Sequence, residues 1–481
     1  MKRHYMVVDL GTGNSRVILV TSEGEILGVR TFTNTYYRDE AYEDAQYILP
    51  HEWWEKIRNG AAELAAEFPD ITIDAVTSAG TRQSFVLYDQ EGDAFLGLPN
   101  IDNRGRAYVK DLPNKQEMYR ISGKWVTEDA GAAKMLGLRK VYPETYARMA
   151  TFTSISEWIG EILTGNIVIE PSMACESQLY DIHEQDWSDV LCDYYGIDKQ
   201  VLPKLAMAGE VVGDILPEYK EMFHMAEDAV FLVGGADTQT ALMQTGMEIG
   251  DIGLVSGTTT PVVTWTEEAI YDPGQRIWVD AGLGGQICQI ETNPGATGLN
   301  YQRAKVLLLP DWEYDRLEAA YEAKTSFGCT ASFASLLFHE QRSLRHGGFF
   351  MRSALDPAVD RVDMLWAVLA DIACSTVEQL QSLRLVTGKD KPYLWGCGGG
   401  FQSRTLCQMI ADLSGRELRL YPGFEQATTQ GLVNICNNAF GEASLKKADS
   451  WICYHPRKDQ LIHRHQPEWK RNRDQANQKQ E

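Results

Sequence analysis

One short piece of grammar occurs twice, almost half the chain apart, and it constrains the fold more than any other feature. Near the start, the apolar run YMVVDL ends in Asp9 and is followed by Gly11-Thr12-Gly13-Asn14 and a second β-rich run, RVILV. Near the middle, AVFLVGG ends in Ala236-Asp237, and GLVSGTTTPVVTW then gives a strand, a Gly/Thr turn and another strand. An apolar run of this length bounded by turn-formers reads as a buried strand. The glycines mark tight turns where backbone can approach a ligand closely. The pattern predicts an α/β protein of two similar lobes facing a cleft.

The rest of the chain fits that plan. Glu23-Gly24 predicts a hairpin, 52–68 a helix, 74–78 a buried strand, and 85–96 a hairpin around Glu91-Gly92. Residues 104–226 are mostly helical in pattern. Tyr393–Gly400 reads as a strand running into three glycines, followed by a helix over 402–413, a strand over 417–421 and a last strong helix over 426–440. The length calls for two large domains. They are set at 1–244 and 245–455, with a polar tail over 456–481 whose end, KRNRDQANQKQE, is expected to fray.

Composition limits the partners. Asp+Glu is 67 against 45 Lys+Arg, a formal charge of −22, which argues against a general nucleic-acid binder. No run of about 18 apolar residues predicts a membrane span, and the opening apolar stretch is too short for a signal-peptide core. The nine cysteines are odd in number and show no C-x-x-C pair. Reduced thiols and a cytoplasmic setting follow.

Each motif taken alone has a functional and an ordinary reading. In Asp9–Arg16, backbone N–H groups and the Thr12 and Ser15 hydroxyls suit phosphate oxygens, and Asp9 suits a water-bridged Mg²⁺. The same residues also make a plain hairpin. Asp237, in small-residue surroundings, suits proton abstraction from a hydroxyl. It also suits a helix N-cap. Ser256–Thr260 is a hydroxyl-rich turn or a simple hairpin. Gly398-Gly399-Gly400 admits a flat ring or a phosphate, or merely joins strand to helix. The polar clusters Thr81–Ser84 and Asn100–Arg104 suit a polyhydroxylated ligand, or solvated ion pairs.

In their order along the chain, these motifs resemble the FGGY family of carbohydrate kinases, from about Tyr5 to Pro456. SEWIGEILTGN, YDIHEQDW, FQSRTLCQMIADLSGREL and GFEQATTQGLVNIC resemble the family's connecting segments. The resemblance implies an actin-like (ribonuclease H-like) fold whose lobes close on ATP and a sugar. It implies that Asp237 is the general base and that Asp9 and Asp237 hold Mg²⁺. Thr12, Gly13, Asn14, Gly257 and Thr258 would contact the ATP phosphates, and Gly399, Gly400 and Ser403 the adenosine. Thr81, Arg82, Asp102, Arg104 and Asp237 would bind the sugar or polyol. Val86-Leu87-Tyr88 and Asn100–Arg104 are similar to the autoinducer-2 kinase and pentulokinase branch. Glu157 departs from the family's usual Asp. A homodimer is the expected assembly. The competing expectation is a non-catalytic nucleotide sensor or scaffold on the same fold. A nicotinamide enzyme lacks its glycine fingerprint.

Overall fold

In a computed structural model, residues 2–477 are described except 286, 339–341, 345, 358 and 446–449. Two sheets organise the chain. The first contains β1 (His4–Leu10), β2 (Asn14–Thr21), β3 (Ile26–Thr33), β4 (Ile73–Gly80), β5 (Val211–Asp214) and β6 (Met225–Ala236) in the order β5-β6-β4-β1-β2-β3. The second contains β7 (Ile252–Val255), β8 (Val262–Thr266), β9 (Trp278–Ala281), β10 (Cys288–Thr292), β11 (Tyr393–Cys397), β12 (Glu417–Leu420) and β13 (Ile452–Tyr454) in the order β9-β10-β8-β7-β11-β12-β13.

The repeated grammar is a repeated topology. From β3 the pairings run antiparallel to β2, antiparallel to β1, parallel to β4, parallel to β6 and antiparallel to β5. From β10 they run antiparallel to β8, antiparallel to β7, parallel to β11, parallel to β12 and antiparallel to β13. Strand β9 is an addition at the edge of the second sheet.

Helices cover the sheets: α1 (Pro50–Glu67), α2 (Ile155–Thr164), α3 (Asp237–Leu242), α4 (Arg361–Thr387), α5 (Arg404–Ser414), α6 (Ala427–Ala439) and α7 (Leu461–Asn477). The strand β1 is buried on both faces, and its side chains alternate between two cores. Met6, Val8 and Leu10 pack with Trp53, Ile57 and Trp158 of α1 and α2. Tyr5 and Val7 pack with Leu432, Val433 and Cys436 of α6. So α6, which lies beyond the second sheet's central strands, closes the underside of the first sheet, and the two halves interlock.

The C-terminal segment corrects an expectation. Residues 461–477 are not frayed but form α7, whose inner face carries the buried Ile462, His465, Trp469 and Arg473. Trp469 Nε1 donates to Asp371 Oδ1 on α4 (2.7 Å), and Arg473 is ion-paired with Glu378. The spacing of three to four residues between these positions is that of one helix face. Residues 478–481 lie outside the described residues. The stretch 104–226 is more broken than a helical reading suggests. It includes the strands Thr151–Ser154 and β5, and the first of these pairs with the hairpin Phe85–Tyr88 and Ala94–Leu98. Among the described residues, no helix is long and apolar enough to cross a membrane.

Candidate active site

Parallel strands bring their carboxyl ends to one edge, where α/β sheets bind ligands. In the first sheet Asp9 lies opposite Ala79, and Gly80 lies opposite both Leu10 and Ala236. Asp9, Thr81 and Asp237 therefore leave adjacent strands side by side. In the second sheet Val255 lies opposite Cys397, so Ser256–Thr258 and Gly398-Gly399 emerge together. Both edges open into one cleft of about 470 Å³, lined by Asp9, Thr12, Thr81, Arg82, Asp237, Gly257, Thr258 and Gly399 among others.

The β1–β2 turn is held from behind. Asn34 Nδ2 donates to the carbonyls of Gly11 (2.6 Å) and Thr12 (3.2 Å), and the Tyr36 hydroxyl donates to Thr12 (2.6 Å). The Asn34 amide donates to the Gly13 carbonyl (3.2 Å). Three successive carbonyls are thus occupied, while the turn's own amides take no part in these contacts. The Thr12 hydroxyl accepts from Asn100 Nδ2 (2.9 Å), and the Asn100 amide donates to Ser84 Oγ, which lies 2.8 Å from the Thr81 hydroxyl.

On the opposite wall, the glycine run packs against Ser256. Gly398 adopts φ +100°, and a Cβ there would lie 2.5 Å from the Ser256 carbonyl oxygen, so only glycine fits. The Gly400 amide donates to that carbonyl (2.9 Å).

Asp237 opens α3. Its Oδ1 accepts from the Thr238 amide (2.6 Å) and hydroxyl (3.2 Å), which fixes the carboxyl and leaves Oδ2. Burial pushes this carboxyl up to about 6, opposed by Arg82 and assisted by the negative charge of Asp9. Asp9 Oδ2 is ion-paired with Arg16, whereas no hydrogen bond to Oδ1 is made among the described residues. Two carboxylates on one wall, one raising the other, fit a divalent cation held largely through water.

The other candidates fall elsewhere. Gly13 and Asn14 sit in the turn but do not line the cleft, and Asn14 is exposed with its side chain on Thr33. Gly400 is turned onto Ser256. Three candidates lie outside the lining of the cleft. Ser403 is the N-cap of α5, accepting from the Leu406 amide (3.2 Å) and donating to Glu318 (2.5 Å). Asp102 and Arg104 do not meet the cleft. Both are buried and paired at 2.7 Å, and Asp102 also accepts from the Gln46 amide (3.1 Å), so they brace the loop behind it.

Reasoning from sequence missed a buried ionic cluster behind Arg82. Arg82 gives its fork to Glu291 of β10, at 2.7 and 2.9 Å. Lys124 Nζ lies 2.7 Å from both Glu176 and Asp280 of β9. Burial would raise the Glu291 carboxyl, but Arg82 outweighs it and holds the group below its ordinary value. Burial wins at Asp280 despite Lys124, and Glu176 adds to the rise. The available signal was a carboxylate in the middle of each of two short strands, WVDA and CQIET.

Two sheets of one topology meeting at a cleft, with paired carboxylates on one wall and Gly/Thr turns on both, define an actin-like two-lobed α/β architecture suited to phosphoryl transfer. The model for the N-terminal domain of the FGGY family of carbohydrate kinases matches residues 4–244. The chain is 38% identical over 441 residues to the Bacillus subtilis (strain 168) protein named "Putative sugar kinase YoaC", covering 91% of this chain and 90% of that one. It is 23% identical over 456 residues to the autoinducer-2 kinase of Salmonella typhimurium (strain LT2), covering 89% and 84%. The structure of Plasmodium falciparum glycerol kinase with ADP superposes with a TM-score of 0.83 over 98% of each chain at 16% identity. The chain belongs to the FGGY family of carbohydrate kinases, phosphotransferases whose acceptor is an alcohol group.

Proposed function

We propose that this kinase transfers the γ-phosphoryl group of ATP to a hydroxyl of a short sugar or polyol, in the range of a pentulose or an autoinducer-2-like compound. The observation that carries the reading is the pair Asp9 and Asp237, at the ends of the two strands that flank β4 and facing Gly257 and Thr258 across one cleft. Asp237 Oδ2 takes the proton of the attacking hydroxyl. The new O–P bond forms as the bond between the γ-phosphorus and the ADP oxygen breaks. The raised affinity of Asp237 for a proton suits a base that must hold one through the transfer.

The amides of Gly11 and Thr12, the Thr12 hydroxyl and the Gly257-Thr258 turn bind phosphate oxygens. Gly399 leaves room for the nucleotide. Asp9, with Asp237, would hold Mg²⁺, and the ion would supply charge neutralisation at the phosphates. The Thr81–Arg82 end holds the acceptor. The similarity to an autoinducer-2 kinase supports the short-chain acceptor, and the ADP in the glycerol kinase structure supports the nucleotide. A cytoplasmic homodimer completes the reading, its mass checked by light scattering.

The test is ADP release with Mg-ATP across pentuloses, hexuloses, glycerol, pentitols and the linear autoinducer-2 precursor, repeated with Asp237→Asn. The variant is expected to bind ATP normally and lose at least about a hundredfold in kcat, the lower range for a general base. Near-normal turnover would remove Asp237 from that role. ATP binding without any acceptor-dependent ADP release would favour a sensor.

A further inference from the structure

Arg82 lines the cleft, yet its charge is spent. Its bidentate edge is filled by Glu291, and Glu176 and Asp280 lie 3.7 Å from the same guanidinium nitrogen. Lys124 is matched by those same two carboxylates. All five side chains are at most 12% exposed. Three carboxylates against two cations leave the cluster with one formal negative charge, or none if Asp280 carries a proton. In neither state does it present a net positive charge to the cleft. Of the five N–H donors of a guanidinium, two are used on Glu291. The others suit neutral hydroxyl oxygens.

We propose that Glu291 sets acceptor specificity. By neutralising Arg82 it makes the acceptor end select uncharged polyhydroxy compounds and reject their carboxylate counterparts. This rests on the kinase reading above and deepens it. The discrimination is made by withholding a counter-charge. A sugar acid would have to bury its carboxylate beside a wall that is neutral or negative, with no free fork to receive it. A neutral polyol of the same length meets only hydrogen-bond donors and acceptors. Removing the Glu291 charge would leave Arg82 with an open fork and bring the cluster to neutral or positive.

The experiment compares xylitol with xylonate, and ribulose with ribonate, on the full chain and on Glu291→Gln. Calorimetric binding is measured beside acceptor-dependent ADP release. The wild-type protein is expected to favour each neutral member tenfold or more. The variant is expected to gain tenfold or more in affinity for xylonate. Wild-type protein that binds xylonate as tightly as xylitol overturns the proposal, and needs no variant to do so. So does a folded Glu291→Gln protein with no gain for xylonate, whatever the kinase assay shows. If no acceptor releases ADP, the kinase reading is the one that fails, and the binding arm still decides this proposal.

Discussion

The contact that positions Asp237 can be perturbed without touching the cleft. Helix α6 crosses α3 at Gly431, where a Cβ would lie 1.9 Å from the Thr240 carbonyl oxygen. Real Cβ contacts essentially never fall under 3.0 Å, so Gly431→Ala must part the two helices by 3.0 − 1.9 = 1.1 Å. The added methyl overpacks the interface at a cost of about 1–3 kcal/mol. The better helix propensity of alanine returns about 0.5–1 kcal/mol, so the fold survives with a net loss of roughly 0–2.5 kcal/mol. Catalysis is the more sensitive readout. A 1 Å misplacement at the chemistry can cost about a hundredfold, and Asp237 is the first residue of the displaced helix. The assay is kcat for the best acceptor with Mg-ATP, beside thermal unfolding. The expected result is a 10- to 100-fold fall in kcat, to order of magnitude, with nucleotide affinity kept. Wild-type kcat together with a wild-type melting temperature would refute the claim that α6 fixes α3. A lower melting temperature with unchanged kcat would show that α6 alone moves.

Three further outcomes are expected. Asp9→Asn should raise the Mg²⁺ concentration for half-maximal activity about tenfold or more, in the range seen when metal-site support is lost; an unchanged Mg²⁺ titration contradicts the assignment. Trp469→Ala should cost about 3–5 kcal/mol in denaturant unfolding, because Trp469 is 2% exposed and its ring nitrogen holds Asp371. A loss under 1 kcal/mol, on the order of an exposed substitution, would mean that α7 is not docked. Eight of the nine cysteines are buried, and Cys453 is raised by burial and by Glu417. Thiol titration of the folded protein should find one slowly reacting group, and nine after unfolding; several fast thiols would contradict the packing.

The parts legible in the sequence were those written locally. An apolar run ending in Asp, then glycines and hydroxyls, marked both turns, because strand, turn and exposed carboxylate are consecutive residues. The capping role of Ser403 was legible too, since a serine before a helix is itself a capping signal. Asp102 and Arg104 look like solvated charges at a spacing of two, and their burial is explained by their mutual pairing at 2.7 Å and by the Gln46 backbone that both bond. Asp280 and Glu291 stood in apolar strands without a visible partner, since Lys124 and Arg82 come from distant parts of the chain. The docking of α7 was hidden by composition. The residues after Trp469, KRNRDQAN, are polar apart from one Ala, and its anchors Ile462, His465 and Trp469 come before them.

The placement of α6 beneath the first sheet sets an order on synthesis. Strands β1, β2, β4 and β6 have all been synthesised once Ala236 is added, yet the side chains that cover Tyr5, Val7, Ile18 and Leu232 arrive only with residues 427–439. At about 5–20 residues per second, making residues 237–426 takes roughly 10–40 s. For that interval the nascent sheet shows one apolar face to the cell. The N-terminal half, though it matches a family domain by sequence, is therefore expected to collect in the insoluble fraction when expressed alone.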